Sequence, residues 1–129
     1  MRRTNPYLKF MNKEDKLQNE VMAYIQWQYP HALIFHPMNE GRRSKFEQFK
    51  FKFLGGLAGV SDILCFTPNR FKSGLALELK VGYNKPTEKQ KVFLERIKRC
   101  NWEAQWCNSF EQAVEIIDNY FKNQTNAKI

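Results

Sequence analysis

The stretch that most limits how this chain can fold runs from residue 75 to residue 107. "LALELKV" at 75–81 is an apolar run, Thr87 opens a segment with Phe93, Leu94 and Ile97 at helical spacing, and "WEAQWC" closes it at 102–107. Thr87 with Gln90 forms the T-x-x-Q signature of a capping box at a helix start. Strand, helix and strand joined this closely make a β-α-β unit, and such a crossover is right-handed in nearly every known case. A sheet built on it needs helices to cover it.

The remaining segments extend that unit. "SDILCF" at 61–66 reads as a strand, "TPNRFKSG" as a turn, and the 75–81 strand as the hairpin partner. Upstream, Asn12 caps a helix with Glu14 and Asp15 in its first turn, where the dipole favours acids. Leu17, Val21, Tyr24 and Ile25 form its apolar stripe, and Pro30 ends it near Tyr29. "HALIFHP" at 31–37 reads as a short strand, residues 41–54 as a broken basic and aromatic helix, and "GGLAG" at 55–59 as a connector. Ser109 and Gln112 predict a second capping box, opening a helix with Ala113, Val114, Ile117, Tyr120 and Phe121 inward. The expected fold is therefore α/β, a small mixed sheet flanked by helices on both faces. It forms one domain over 1–129, with a basic arm at 1–12 and a frayed polar tail at 123–129.

Charge narrows the partner. The chain of 129 residues has a formal net charge of +8, which favours a polyanion, nucleic acid before an anionic membrane surface. The segment 41–52 carries Arg42, Arg43, Lys45, Lys50 and Lys52 against the single acid Glu47. Phe46, Phe49, Phe51 and Phe53 are interleaved with them, and at least two of these are expected in the core rather than on bases. Core burial is likewise expected for Trp27, Trp102 and Trp106, with a role as interface anchors the alternative. No apolar run approaches membrane-spanning length and no apolar signal region follows the basic N-terminus, so a soluble, cytoplasmic protein without a membrane partner is expected. Cys65, Cys100 and Cys107 read as reduced, largely buried thiols, and neither His31 nor His36 stands at zinc-ligand spacing to any of them.

Two carboxylates remain, and they do not suit a core. In "SDILCF" alternation puts Asp62, Leu64 and Phe66 on one face; in "LALELK", Ala76, Glu78 and Lys80 share a face. If these strands pair, Asp62 meets Glu78. Two such acids repel unless one stays protonated or a cation lies between them, and an all-oxygen ligand set suits magnesium or manganese. Lys80 lies on the same side, able to hold a phosphate oxygen or an attacking water. A Lewis acid, an activated water and a neutralising cation are what phosphodiester hydrolysis needs. A structural ion pair would account for the same residues, and spacing leaves both readings open.

Asp62 followed by Glu78-Leu79-Lys80 resembles the PD-(D/E)XK nuclease signature, and the surroundings resemble its VRR-NUC branch. The likeness spans about residues 17–121: Glu20 on the first helix, "MNEGRR" at 38–43, "LAGVSDIL" at 57–64, "LALELK" and "PTEKQKVFLERIK". Ser61 departs from the pattern, which has proline there. The resemblance implies a restriction-endonuclease-like core in the order α-β-β-β-α-β-α. It implies metal ligands at Glu20, Asp62, Glu78 and the Leu79 carbonyl, and Lys80 at the attacking water or transition state. Gln90 would orient water or substrate, with the capping box as its equal alternative. Asn39 and Glu40 also match, Asn39 more simply as a turn residue.

The expected protein is thus a magnesium- or manganese-dependent DNA endonuclease of virus or phage type with no nucleotide cofactor. The resemblance implies branched DNA, including four-way junctions, as substrate and a homodimer as the active form. Arg42, Arg43, Lys45, Lys50, Lys52, Lys85 and Lys89, with Arg2 and Arg3, are the candidate DNA-binding surface. A nuclease on single-stranded or flap DNA and a silent DNA-binding module with the same fold are the alternatives.

Overall fold

A computed structural model describes residues 5–38 and 43–123. Arg2, Arg3, Asn39, Glu40, Arg42 and the tail beyond Asn123 lie outside the described residues. A short 3-10 turn, Pro6–Phe10, leads into helix α1 (Lys13–Gln28). Then follow strand β1 (Ile34–Phe35), helix α2 (Lys45–Phe53), strands β2 (Ile63–Cys65) and β3 (Gly74–Leu79), helix α3 (Glu88–Lys98), strand β4 (Trp102–Cys107) and helix α4 (Phe110–Lys122). The four strands form one mixed sheet in the order β1-β2-β3-β4. β1 and β2 pair antiparallel, as do β2 and β3, while β3 and β4 run parallel through the α3 crossover.

Helix starts follow their local chemistry. At α1 the Asn12 side chain accepts from the Asp15 N–H and Asp15 returns the bond to the Asn12 N–H, a reciprocal box. Thr87 and Gln90 do the same at α3. At α4 the expected box is only half made. Ser109 Oγ accepts from the Gln112 N–H, but Gln112 Oε1 reaches one residue further back, to the Asn108 N–H at 3.0 Å.

The sheet is covered on both sides. Leu17, Val21 and Ile25 of α1 and Ala113, Ile117, Tyr120 and Phe121 of α4 pack on Ile63, Cys65, Leu75, Leu77, Leu79 and Cys107. On the opposite face Phe93 and Leu94 of α3 pack on Leu64, Ala76, Trp102 and Ala104. β3, central and buried along its whole length, carries residues of both layers in strict alternation. Tyr24 and Tyr29 both donate to Asp118 Oδ1 at 2.6 Å, tying α1 to α4. Asn123, expected in a frayed tail, accepts at its carbonyl from the Arg70 N–H at 2.6 Å.

Several expectations about aromatic side chains are overturned. Phe46, Phe49 and Phe53 are exposed and Phe51 is half-buried, so α2 contributes no residue to either core. Trp102 is buried, but Trp27 and Trp106 are exposed. The phenylalanines fail as core residues because the two-layer covering of the sheet is completed by α1, α3 and α4. Among the cysteines, Cys65 and Cys107 are buried and Cys100, past the end of α3, is exposed.

Candidate metal centre

Ile63 faces Leu77 in the β2–β3 ladder, so the next step along the same ladder sets Asp62 opposite Glu78. Both are nearly inaccessible, at 4% and 1%. Asp62 Oδ2 accepts from the Leu79 N–H at 2.7 Å, which clamps the carboxylate against the end of β3. The Asp62 carbonyl lies 2.6 Å from His36 Nδ1, just beyond β1. The third acid is Glu14, from the first turn of α1. One oxygen from each of Glu14, Asp62 and Glu78 can be chosen so that all lie within 4.8 Å of one another.

Three acids this close are hard to keep charged. Burial, then the neighbouring Asp62 carboxylate, pushes Glu78 up to about 9 from an ordinary 4.5, with Lys80 opposing and Glu14 adding to the rise. Lys80 Nζ stands 3.7 Å from Glu78 Oε1, a long ion pair, and the Lys80 backbone is fixed by donation to the Cys107 carbonyl at 2.9 Å. Glu78 Oε2 is buried with no hydrogen-bond partner. A buried, partnerless acceptor is costly, and native structures hold few of them. The donor set is all oxygen, the hard-ligand chemistry that suits magnesium or manganese. The residues therefore fit a divalent cation.

Sequence-predicted residues divide around this centre. Asp62, Glu78, Leu79 and Lys80 come together. Glu20 does not: it is exposed on α1, and Glu14 occupies the place it was expected to fill. Gln90 Oε1 accepts from the Thr87 N–H at 2.8 Å, so that oxygen belongs to the helix cap. Lys85 and Lys89 are exposed, and the backbone of Lys89 touches the connector: a Cβ on Gly59 would lie 2.5 Å from the Lys89 carbonyl oxygen. Arg43 sets its guanidinium 3.9 Å from the Phe51 ring centre, and Lys45, Lys50 and Lys52 are exposed on α2. Sequence reasoning missed Glu14 and His36. Glu14 carries a signal, an acid in a first turn, but the helix dipole accounts for it; His36 carries none beyond its lack of zinc-ligand spacing. Ser61, also buried, leaves its Oγ unpartnered beside Asp62.

No family model matches the sequence, and no curated protein matches it either. Solved structures do match. One described as a "VRR_NUC domain protein" superposes with a TM-score of 0.72 at 23% identity, covering 88% of this chain and 92% of its own. A second, described as a "VRR_NUC domain", gives a TM-score of 0.58 at 21% identity over 85% of this chain and 99% of that one. The mixed sheet with its α3 crossover and flanking helices is thus the fold of the VRR_NUC domain structures, and the acid cluster lies within it.

Proposed function

We propose that this chain is a VRR-NUC family nuclease that hydrolyses DNA phosphodiester bonds with magnesium or manganese bound between Asp62, Glu78 and Glu14. The observation that carries the reading is the cluster of three carboxylates, Glu14, Asp62 and Glu78, the last two buried, with oxygens within 4.8 Å of one another and Lys80 beside them. The Lys80 contact reaches Oε1 of Glu78, and one ammonium does not balance the charge of three carboxylates. A cation bound there supplies Lewis acidity and acidifies a coordinated water.

The chain's own groups do the rest. The Leu79 N–H holds the Asp62 carboxylate in one orientation through its Oδ2. The Leu79 carbonyl, next along the same backbone, serves as a further oxygen donor. With a cation held there, Glu78 would serve as a carboxylate ligand beside Asp62 and Glu14. Lys80, which meets Glu78 through a long contact, turns its ammonium to the phosphate. There it neutralises charge developing on the non-bridging oxygens. Gln90 has its Oε1 committed to the cap, so orienting water falls to its Nε2 group. Arg43, Lys45, Lys50, Lys52, Lys85 and Lys89 hold flanking phosphates, an assignment supported by the basic excess of the chain. No described helix is long and apolar enough to cross a membrane.

Branched DNA is the proposed substrate and a homodimer the proposed form, since two symmetric nicks need two sites. The test uses labelled four-way junction, flap, single-stranded and duplex DNA with magnesium, manganese, calcium or EDTA. Cleavage with magnesium or manganese, lost in EDTA and in Asp62→Asn, is expected. Light scattering with and without junction DNA reads the assembly, and a monomer in both would exclude paired cleavage. An Asp62→Asn protein that cleaves at the wild-type rate would remove the assignment.

A further inference from the structure

Helix α2 exposes an apolar stripe that the fold does not use. At 100° per residue Phe46, Phe49 and Phe53 fall within about 60° of one another on the helix surface. All three rings are more than 60% exposed, and Phe49 and Phe53 stack with centres 5.6 Å apart. Lysines border the stripe on both sides, Lys45 and Lys52 on one flank and Lys50 on the other. Phe51, on the opposite side, anchors the helix: its ring meets the Arg43 guanidinium and lies where a Cβ on Gly56 would fall, 2.3 Å away.

The position of α2 matters as much as its composition. The connection that contains it leaves the sheet at His36, whose ring touches the Asp62 carbonyl, and returns at Ser61, the residue before Asp62. Both ends of the connection therefore sit at the acid cluster. A protein interface is depleted in lysine at its centre, whereas rings interleaved with cations are how single-stranded nucleic acid is held: bases stack on aromatics and phosphates meet the charges.

We propose that α2 is a base-stacking platform. Phe46, Phe49 and Phe53 receive bases that have left the duplex stack, and Lys45, Lys50 and Lys52 take the adjoining phosphates. The platform thereby directs the nuclease to junctions and single-stranded stretches. The inference rests on the proposed nuclease reading and names what selects its substrate.

The test measures binding in EDTA, where no cleavage occurs, by anisotropy of labelled single-stranded, forked and blunt duplex DNA. The triple variants Phe46→Ala/Phe49→Ala/Phe53→Ala and Phe46→Leu/Phe49→Leu/Phe53→Leu are compared with wild type. With stacking lost, both should weaken single-strand and fork binding at least about tenfold relative to duplex. Because no α2 residue is buried, their melting temperatures should match wild type. The leucine variant discriminates: an apolar contact with a second copy or with a bilayer survives it, a stacked base does not. Wild-type single-strand preference in the leucine variant overturns the platform. So does an equal loss on all three DNAs. Sedimentation of wild type, but not the alanine variant, with phosphatidylglycerol vesicles, with DNA binding unchanged, would assign the stripe to a membrane surface and overturn it too. Cleavage in magnesium is scored separately: loss of the platform with cleavage intact leaves the nuclease reading standing, and the converse leaves the platform.

Discussion

Glu78 is where the candidate site is most exposed to experiment. Its carboxyl is raised to about 9 by burial and by Asp62, while the unfolded chain releases that proton near the ordinary value. Between these points the folded state holds the extra proton, so the Glu78 contribution to stability falls as pH rises through the window and levels off above about 9. Tyr24, Tyr29 and Tyr120 are raised as well, but they stay protonated in both states across this range. Cys65 and Cys107, with thiols pushed up by burial, add to the slope only from about pH 8 upward, as the unfolded thiols begin to ionise. In EDTA the melting temperature of wild type should therefore decline from pH 5 to pH 9, and Glu78→Gln should flatten the decline. At pH 8 magnesium should raise the wild-type melting temperature by ligand linkage and raise that of Glu78→Gln and Asp62→Asn far less. Glu14→Gln should also blunt the magnesium effect, and Glu20→Gln should not. A sloping Glu78→Gln profile would place the titrating group elsewhere. Asp62, Glu78 and Lys80 were legible in the sequence because alternation along two strands is a local rule. Glu14 was not. Glu14 and Glu20 stand six residues apart, about 9 Å along the helix axis, so only one of them can reach a given end of the sheet. Which one does so depends on how far α1 slides along the sheet, a tertiary quantity that no helical stripe records.

At the scale of elements, caps and stripes foretold the helices well and the strands less well. Thr87, Asn12 and Ser109 each hydrogen-bond the helix they were expected to start, because a cap is satisfied within four residues. The strands 31–37 and 61–66 shrank to Ile34–Phe35 and Ile63–Cys65, because strand length is set by the partner and β1, at the sheet edge, has only β2. α2 misled for a related reason: its phenylalanines have core chemistry, but no uncovered sheet face was left for them. The connector after α2 gives a sharp prediction. Gly59 has φ of +82° and no room for a Cβ against the Lys89 carbonyl, whereas Gly82, with φ of +60°, has nothing within 4 Å. Gly82→Ala should cost roughly 1 kcal/mol for the left-handed backbone alone. Gly59→Ala adds an overpacked contact and should cost about 2–4 kcal/mol. Denaturant melts of the two variants give the comparison directly. Equal losses would mean that the first turn of α3 does not hold the connector, and with it Asp62, in place.

For the whole molecule the governing quantity is where the excess of positive charge is free to meet a polyanion. The chain carries a formal charge of +8, but not all of its cations are equally available. On α3, Lys91 pairs with Glu88 and Lys98 with Glu95 through contacts of 3.5 and 3.2 Å. These exposed pairs add little stability, yet they cancel much of the local field on that helix. On α2, the one acid, Glu47, is held at the N-terminus by Ser44, whose Oγ also accepts from the Glu47 N–H. Lys45, Lys50 and Lys52 then stand along the rest of the helix, with Arg43 just before it. If these four meet phosphates, replacing them together with Gln should weaken duplex and single-strand binding alike. It should also reduce the slope of log K against log salt by about 0.9 on duplex for each phosphate contact removed, or about 0.7 on single strands. Replacing Lys91 and Lys98 with Gln should change the slope much less, since each leaves an acid behind only where a neutral pair stood. Titrations between 50 and 300 mM salt, carried out in EDTA, separate these outcomes from any effect on the acid cluster. A slope unaltered by the α2 replacements but flattened by those on α3 would carry the DNA along α3 instead. It would then have to approach Asp62 and Glu78 past the N-terminus of α3, where Lys85 and Lys89 would be the next cations to neutralise.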